Sequence, residues 1–440
     1  MKIAVQLVVL SGLIPSAFAS GKVIYGEDNR LEVYEAPSNH QEWARSAATM
    51  VGTENISPNP DIPGMLQLKQ TSLGQWLEDM SKSKPMSLLN PKALEAQKAG
   101  VKFCEDTRFI SQPNPGMCSG FLIGPDLLVT AGHCVVSGNF CADYKWVFDF
   151  SVDQKTQSAG KSVNPDDVYG CKKVVSSGLN NYFGLDYAVV QLDRVVKGRK
   201  PLEIRTSQKI EDKSPLVVIG SPSGLPLKIA AGSNVRKNMH PGFFVANLDT
   251  FQGNSGSAVF NADTGVVEGI LVRGEEDYRF SPARGCIEAY SCEESSCRGE
   301  DVSRIQSIPE VAVKNILVGA AKAGDLEKIK EIVKLKTWID FNGTDGRTAL
   351  MEAVSAGKIE AAKLLIVSGA SVNTQDAEGN SPLHLSVSLG KAGLDVTNAL
   401  LESKPDLSLR NADGLTARDL ARKLKNRKAS RAIKRASRIK

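Results

Sequence analysis

Three residues that lie far apart along the chain have the types and local settings that nucleophilic serine catalysis requires. Ser255 lies in the glycine-flanked segment Gly253-Asn-Ser-Gly-Ser257, where a tight turn would present its hydroxyl. His133 follows a strand-like run, and Asp186 begins the run Asp-Tyr-Ala-Val-Val-Gln-Leu. A serine nucleophile needs a histidine base and a carboxylate that fixes the tautomer and orientation of that base. The turn also predicts an oxyanion site formed by the backbone N–H groups of Gly253 and Ser255.

The elements that must position these residues are short β-branched runs between residues 23 and 308, separated by Gly, Pro and Asp. Such runs predict strands joined by turns, as in an all-β barrel or sandwich. Residues 53–100 differ, because they are rich in Pro, Ser and Lys and contain helix-like pieces at 73–80 and 91–100. We interpret 53–100 as an insertion or covering segment. The clearest strand-like runs are 127–130, 187–192, 215–219 and 266–272.

The residues around the three candidates form motifs that occur together in one known family. Thr-Ala-Gly-His-Cys at 130–134, Asp-Tyr-Ala-Val-Val at 186–190 and Gly-Asn-Ser-Gly-Ser at 253–257, in this order, resemble the chymotrypsin-like or trypsin-like serine peptidases. The resemblance implies two packed six-stranded barrels with the site between them. It also implies that His133 is the general base, Asp186 its orienting carboxylate and Ser255 the nucleophile, and that Cys118 and Cys134 form a disulfide.

The amino-terminal segment narrows the resemblance further. Residues 23–30, Val-Ile-Tyr-Gly-Glu-Asp-Asn-Arg, resemble the mature amino terminus of the bacterial glutamyl-endopeptidase-like branch. Asn254 stands where the animal digestive branch has an aspartate that pairs with a newly cut amino terminus. An amide cannot form that buried ion pair. Activation by that switch is therefore not expected, while processing near Lys22 and Val23 stays open.

Three residues are candidates for substrate binding, namely Asp249, Arg273 and Gly274. Asp249 lies six residues before Ser255, where trypsin-like relatives keep the carboxylate that binds Lys or Arg through a charge-assisted bond. Arg273 lies on the strand at the pocket edge and would neutralise Asp249 if the two met. A glutamyl-branch histidine that binds the substrate acid corresponds here to Leu271, which argues against glutamate specificity. The alternative for Asp249 is a solvated or structurally paired loop acid.

The first residues of the chain predict export. Lys2 precedes an apolar run at 3–14, and Ala17-Phe-Ala19 follows the Pro15 break. This pattern is typical of a signal peptide at 1–19 that is cleaved after Ala19. The alternative is a membrane anchor, but the run is shorter than the roughly 20 residues that a bilayer core requires. The sequence therefore predicts a secreted or periplasmic protein.

The eight cysteines favour disulfides in an oxidising compartment. All of them lie between residues 104 and 297, so the last third of the chain has none. The sequence contains no Cys-x-x-Cys and no histidine pair with metal-ligand spacing, which weakens a zinc interpretation. We expect no metal and no cofactor. The pairing of six cysteines stays open, namely Cys104, Cys141, Cys171, Cys286, Cys292 and Cys297.

The last third of the chain contains internal repeats. Asp-Gly-Arg-Thr-Ala-Leu at 345–350 recurs in similar form at 378–383 and 413–418, and the turn glycines Gly346, Gly379 and Gly414 are 33 and 35 residues apart. These segments resemble ankyrin repeats. The resemblance implies pairs of short amphipathic helices that must stack on their neighbours, with a degenerate first cap at 311–341 and a helical last cap at 412–440. The alternative is an unrelated helical bundle.

The carboxyl-terminal tail carries most of the positive charge. From Arg418 to Lys440 there are eleven Lys and Arg residues and one acid, so the rest of a chain of net charge +5 carries −5. The tail has no aromatic residue, which argues against specific nucleic-acid binding. Two interpretations stay open for it, a solvated capping helix or a surface that attracts an anionic envelope or polymer.

Together these patterns predict a multidomain protein, an all-β double barrel followed by an all-α ankyrin solenoid. The expected divisions are a signal peptide at 1–19, a peptidase domain at 20–308 and ankyrin repeats with a basic capping helix at 309–440. The expected function is an exported serine endopeptidase that acts on a protein or peptide substrate, with an ankyrin module that binds a protein partner. Cleavage after Lys or Arg is the specificity that Asp249 would give. One alternative is an inactive peptidase-like scaffold that binds proteins through its repeats, and another makes the repeats an internal inhibitor.

Overall fold

The structure of the chain is a computed structural model. It describes residues 23–83, 102–180, 184–206, 208–274, 276–293, 296–334, 339–340, 346–390 and 393–438. The predicted signal peptide at 1–19, the helix-like piece at 91–100 and Asp345 of the first repeat motif lie outside these residues. Within the described ranges, no helix has both the length and the apolar character that crossing a membrane demands.

The described part of the chain contains nineteen strands, all of them before residue 305. The first ten are β1 (Ile24–Tyr25), β2 (Arg30–Glu32), β3 (Ala47–Gly52), β4 (Ile56–Pro58), β5 (Leu66–Leu68), β6 (Gly116–Leu122), β7 (Leu127–Thr130), β8 (Tyr144–Phe148), β9 (Val168–Asn180) and β10 (Leu185–Leu192). The other nine are β11 (Pro215–Gly220), β12 (Lys228–Lys237), β13 (Phe243–Ala246), β14 (Ala258–Asn261), β15 (Val267–Arg273), β16 (Tyr278–Ser281), β17 (Cys286–Ala289), β18 (Ser291–Cys292) and β19 (Glu300–Arg304).

Six antiparallel strands close the first barrel, in the order β10, β7, β6, β3, β8 and β9. β7 and β10 are direct neighbours, with Ala188 opposite Thr130. The indole of Trp146 lies inside the barrel and has no exposed surface. Because His133 follows β7 and Asp186 begins β10, the pairing of these two strands brings both residues to the same end of the barrel.

The second barrel is also closed by six strands, in the order β11, β14, β15, β19, β13 and β12, because β11 pairs with both β14 and β12. β2 adds a seventh strand beside β12. Phe244, Leu271 and Val302 belong to the buried core of this barrel. The segment that carries Ser255 connects β13 to β14. The predicted double barrel is therefore confirmed.

The described part of 53–100 covers the barrels. β4 and β5 form a two-stranded ribbon, and Leu68 packs in a buried cluster with Val51 and Phe150 of the first barrel region. The helix α1 (Ser38–Ala44) precedes β3, and α2 (Leu73–Ser83) follows the ribbon. Leu73 and Leu77 of α2 are buried in a cluster with residues that flank the second barrel.

Four disulfides connect the eight cysteines, and all lie in the barrel region. One joins Cys118 to Cys134, the pair that the family resemblance implied. The structure also gives the three pairings that the sequence left open, which are Cys104–Cys286, Cys141–Cys171 and Cys292–Cys297.

Helices dominate the remainder of the described chain. After the short α3 (Phe140–Asp143) in the first barrel, the helices are α4 (Pro309–Ala323), α5 (Leu326–Val333), α6 (Ala349–Ser355), α7 (Ile359–Val367), α8 (Pro382–Ser388), α9 (Leu394–Glu402), α10 (Ala417–Lys423) and α11 (Arg427–Ala436). They form four successive pairs around one continuous apolar core that includes Leu350, Leu365 and Leu400. A helical solenoid after the barrels was the predicted arrangement, and it is confirmed.

The repeated glycines are required by the close stacking of successive turns. Gly346 and Gly379 have φ angles of +75° and +74°, a region that glycine adopts easily. A Cβ at Gly346 would lie 2.7 Å from the backbone nitrogen of Ala377, and one at Gly379 would lie 3.0 Å from the Cα of Asn411. Each turn therefore packs against the turn of the next repeat, which explains the spacing seen in the sequence.

α4 belongs to both apolar cores. Val311, in its first turn, is buried with Ile308 in the core of the barrels, whereas Leu317 and Ala321 are buried in the core of the repeats. At the other end of the solenoid, Ile433 of α11 is buried while the Lys and Arg side chains of that helix are exposed. The basic tail thus caps the repeats with its apolar stripe and presents its charges to solvent.

Candidate active site

The segment that carries Ser255 depends on two glycines. Gly253 and Gly256 have φ angles of +92° and +91°, which residues with a side chain rarely adopt. A Cβ at Gly253 would lie 2.5 Å from the carbonyl oxygen of Ser221, and one at Gly256 would overlap the carbonyl oxygen of Ser119. The two glycines therefore allow a tight turn that holds the nearly buried Ser255 between the barrels.

The segment before Ser255 is oriented by one hydrogen bond from the neighbouring Ser223 loop and one within the segment itself. The carbonyl of Gln252 accepts a hydrogen bond from the N–H of Ser223, and the N–H of Asn254 donates to the carbonyl of Phe251 at 3.0 Å. In a trans peptide the carbonyl and the following N–H point in opposite directions. The N–H of Gly253 thus points away from the Ser223 loop, an orientation that agrees with the donor role predicted for it.

Asp186 holds His133 through two hydrogen bonds. Nδ1 of the imidazole lies 2.9 Å from Oδ2 of Asp186, and the backbone N–H of His133 donates to Oδ1 at 3.1 Å. The Asp186 side chain is 3% exposed and that of His133 is 32% exposed. A Cβ at the preceding Gly132 would lie 2.6 Å from the carbonyl oxygen of Gly178, so glycine is needed for this approach. A carboxylate bound at Nδ1 favours the tautomer in which Nε2 is the basic nitrogen.

Ser119 on β6 ties the turn of the second barrel to the first barrel. Its backbone N–H donates to the carbonyl of Ser255 at 2.8 Å, and its hydroxyl donates to the carbonyl of Gly253 at 2.9 Å. The neighbouring Cys118 is bonded to Cys134, which directly follows His133. The nucleophile turn and the histidine are therefore both fixed to β6, and the structure brings His133, Asp186 and Ser255 to one junction between the barrels.

Comparison with known families accounts for both parts of the chain. A family model described as the trypsin-like peptidase domain matches residues 118–270, and one described as ankyrin repeats in three copies matches residues 317–411. The chain carries a trypsin-like peptidase domain joined to ankyrin repeats. The peptidase match includes His133, Asp186 and Ser255.

Individual relatives resemble part of the chain. Rabankyrin-5 of Homo sapiens is 43% identical over 91 residues, which are 20% of this chain and 8% of that protein. Protein phosphatase 1 regulatory subunit 27 of Mus musculus is 34% identical over 100 residues, or 22% of this chain and 64% of that protein. Notch-regulated ankyrin repeat-containing protein A of Danio rerio is 32% identical over 78 residues, which are 17% of this chain and 70% of that protein. The chain thus spans less than two thirds of the length of the first two.

In the peptidase domain, Asp249 is paired with the amino-terminal segment. Its carboxylate accepts hydrogen bonds from the backbone N–H of Tyr25 at 2.7 Å and from that of Asn29 at 3.3 Å. Asp249 is 2% exposed, and burial raises its pKa to about 7 despite these two donors. The structure therefore corresponds to the alternative that the sequence left open, in which Asp249 is a structurally paired acid.

The other two predicted substrate-binding residues lie at the end of β15. Nε of Arg273 lies 3.8 Å from a carboxylate oxygen of Asp301. Arg273 therefore forms an ion pair with Asp301, whereas the sequence had raised Asp249 as the acid it would neutralise if the two met. Gly274 follows on the same strand edge and packs against the carboxylate of Glu300. Sequence reasoning did not single out Glu300, because only the register between β15 and β19 shows that the two are neighbours.

One group of side chains near the peptidase site has the spacing of metal ligands. Cys118, His133 and Cys134 each place a ligand atom within 4.8 Å of the others. The two sulfurs are joined in a disulfide, whereas thiolates are the form of cysteine that binds metals. This group therefore does not fit a metal centre, and the arrangement serves the position of His133.

Proposed function

We propose that the chain is a serine endopeptidase in which Ser255 is the nucleophile, His133 the general base and Asp186 its orienting carboxylate. The observation that carries the proposal is the double attachment of His133 to Asp186, through Nδ1 and through the backbone N–H. This attachment fixes both the position and the tautomer of the imidazole. Its location beside the glycine-dependent turn of Ser255 is the arrangement that acyl transfer requires.

The reaction follows from the roles of these groups. Ser255 Oγ attacks the carbonyl carbon of the substrate peptide bond while its proton passes to Nε2 of His133. The backbone N–H groups of Gly253 and Ser255 then stabilise the oxygen that gains negative charge. When the C–N bond breaks, the same proton goes to the leaving amine. Water, activated in turn by His133, hydrolyses the acyl-enzyme and regenerates the serine.

The ankyrin repeats supply the second part of the proposed function, which is binding of a protein partner. Their stacked helices bury one face in a continuous core and expose the other, and solenoids of this kind use extended exposed surfaces for recognition. The partner would be a substrate of the peptidase domain or a protein that recruits the peptidase to its place of action. The basic capping helix adds exposed cations to this surface, which favours anionic partners.

Export is part of the proposal because the barrel region contains four disulfides, which form and persist in oxidising compartments. The segment 1–19 has the pattern of a signal peptide, with a cleavage position after Ala19. Expression of the whole chain in a bacterium, followed by recovery from the periplasm and mass spectrometry, should yield a chain that begins at or after Ser20. Retention of Met1 in the folded, oxidised protein would argue against export.

The peptidase function is tested by substituting the nucleophile. Ser255→Ala in the full chain should abolish hydrolysis of a denatured protein substrate, because it removes the attacking oxygen without changing the core. Ser137→Ala is the matched control, since this serine is exposed and lies four residues after His133. The control should retain activity and both chains should have the same circular dichroism spectrum. Equal activity of the two variants would refute the assignment.

A further inference from the structure

The last helix of the repeats has one apolar side and one cationic side. Ala429 and Ile433 of α11 are buried in the core of the repeats, and residues four apart lie on the same side of a helix. The exposed side chains of α11 include five cations, Arg427, Lys428, Arg431, Lys434 and Arg435. At the pitch of an α-helix these five lie within an arc of about 120° that is centred opposite the buried pair. The core therefore fixes one side of α11, and the other side presents a continuous positive face to solvent.

The positive face continues onto the residues before α11. Arg422 and Lys423 end α10, Lys425 lies in the following turn, and all three are exposed. Together with the five cations of α11 they form a surface that we call the cationic cap. Residues 420–440 contain no acid, and within the described chain Lys423 is the member of the cap that forms an ion pair, with Asp413 at 3.3 Å. Most of the positive charge of the cap is therefore left to solvent or to a partner.

Leu424 lies within the cap, between Lys423 and Lys425. It is 49% exposed, whereas Leu420, one turn earlier on α10, packs against the core of the repeats. An exposed leucine beside a row of cations is typical of segments that lie at a membrane interface. There the apolar side chain leaves water, and the long cationic side chains stay at the level of the lipid phosphates. The turn between α10 and α11 thus combines positive charge with an apolar contact point.

A bilayer matches the cap better than other anionic partners do. A nucleic-acid duplex presents phosphates but no apolar layer beneath them, so it would leave Leu424 in water. Single-stranded nucleic acid binds by stacking on aromatic side chains, and residues 418–440 contain none. A membrane with anionic phospholipids offers negative headgroups and an apolar layer in one plane. It therefore complements both the cations and the leucine.

We propose that the cationic cap docks the protein on a membrane surface that carries anionic phospholipids. The Lys and Arg side chains contact the lipid phosphates, and Leu424 enters the boundary between headgroups and acyl chains. Because Ala429 and Ile433 stay buried in the solenoid, the docked helix holds the repeats at the surface as well. The inference goes beyond the peptidase function proposed above and does not depend on it.

The test measures binding of the full chain to lipid vesicles by sedimentation. One set of vesicles is phosphatidylcholine alone, and the other contains phosphatidylglycerol as about one third of its lipid. The chain should bind the second set and not the first at about 0.1 M salt. The cap variant, which combines Lys428→Gln, Arg431→Gln and Arg435→Gln, should bind at least about tenfold more weakly. Each cation close to an anionic surface is expected to contribute about fivefold to the affinity.

A matched control removes the same charge from another part of the solenoid. It combines Lys328→Gln, Lys330→Gln and Lys363→Gln, at exposed positions on α5 and α7 where each lysine is paired with a glutamate of its own helix. The control should bind anionic vesicles within about twofold of the wild type, because charges away from the contact are screened. Far-UV circular dichroism checks that both variants keep their helices. An equal loss in the two variants would overturn the assignment to the cap.

A third variant tests the choice of a bilayer. Leu424→Ser removes the apolar contact without changing the charge. It should weaken vesicle binding by about threefold or more at about 0.5 M salt, where the charges are screened, and leave binding to a duplex DNA oligomer unchanged. Absence of binding to phosphatidylglycerol vesicles, or equal vesicle affinity of Leu424→Ser and the wild type, would overturn the proposal. Tighter binding to duplex DNA or to polyglutamate than to the vesicles would also overturn it. No hydrolysis enters these measurements, so their failure is distinct from failure of the peptidase function.

Discussion

At Asp249, the cost of burying a carboxylate exceeds the gain from its two backbone hydrogen bonds, and its pKa is raised to about 7. The unfolded chain would lose this proton near pH 4. Between these two values the folded state binds the proton more tightly, so the free energy of unfolding should fall as pH rises from about 4 to 7 and stay level above. The protonated carboxyl of Asp249 contributes about 4 kcal/mol at most to this change in the free energy of unfolding.

Asp249→Asn should remove this pH dependence, because the amide does not titrate. Urea unfolding of the full chain, followed by tryptophan fluorescence at pH 4.5 and 7.5, measures the effect, since three of the four tryptophans precede residue 150. The variant should gain stability relative to the wild type as pH rises. A difference between the two chains that is the same at both pH values would show that Asp249 is not strained by burial.

The triad should behave as one unit. His133→Ala removes the base, so kcat should fall by several orders of magnitude, which is also the expected result for Ser255→Ala. The double variant should be little worse than either single one, because each substitution already disables the same proton transfer. Rates from single-turnover hydrolysis of an activated ester check this. Losses that multiply in the double variant would mean that the two residues act independently.

The sequence identified His133, Asp186 and Ser255 because each lies in a motif of five residues whose chemistry is visible locally. The direction of the Asp249 carboxylate was not visible, since it depends on a segment 224 residues away. Glu300 was missed for the same reason, because its approach to Gly274 is set by the register of β15 and β19. Local motifs therefore predicted the reacting groups, and long-range strand pairing decided the charges around them.

At the scale of elements, His384 connects two repeats. Its Nδ1 accepts from the hydroxyl of Ser381 at 2.8 Å and from the N–H of the same residue at 3.3 Å, while Nε2 donates to the carbonyl of Leu415 at 3.0 Å. A proton at Nδ1 would break the two hydrogen bonds that this nitrogen accepts from Ser381. Burial accordingly lowers the pKa of His384 below its usual value. The neutral ring thus joins α8 to the turn before α10.

Because the folded pKa of His384 is lowered, the unfolded chain binds more protons below about pH 6.5, and the repeats should lose stability as pH falls through that value. His384→Gln keeps one acceptor and one donor but does not titrate. The variant should therefore lose less stability than the wild type between pH 7 and pH 5. Urea unfolding followed by far-UV circular dichroism, to which the repeat helices contribute strongly, tests this. Parallel pH curves for the two chains would show that His384 does not set the stability of this part.

The strand-like and helix-like runs predicted from the sequence correspond to elements because their patterns are local. The run at 127–130 is β7, 266–272 overlaps β15, and 73–80 is the first part of α2. The joining of β2 to the second barrel was not predicted, since Leu31 pairs with Ile229 nearly 200 residues later. The dual role of α4 was also hidden, because Val311 and Leu317 look alike in sequence but enter different cores.

At the scale of the whole molecule, the two apolar cores differ in how they are held. All four disulfides lie in the barrel region, and that between Cys104 and Cys286 closes a separation of 182 residues. Cross-links of this kind stabilise the folded state by restricting the unfolded chain, and each typically contributes about 2–4 kcal/mol. No disulfide lies among the described residues of the repeats, whose continuous apolar core and hydrogen bonds between neighbouring repeats hold them together.

Reduction of the full chain should therefore inactivate the peptidase domain and leave the repeats folded. Hydrogen exchange, measured by mass spectrometry with and without reductant, resolves the two regions in one protein. Protection should fall in 116–304 and persist in 349–436. Loss of protection in both regions together would show that the repeats depend on the barrels, through α4 or through another contact.

Ser255 should be an activated nucleophile, and its reactivity can be measured directly in the native protein. Treatment of the native full chain with a fluorophosphonate, followed by peptide mapping, reports the reactivity of each serine without requiring knowledge of the substrate. We expect one modified residue, Ser255, and no modification in His133→Ala or in the denatured chain. A folded chain that stays unlabelled, or that is labelled at a different serine, would contradict it.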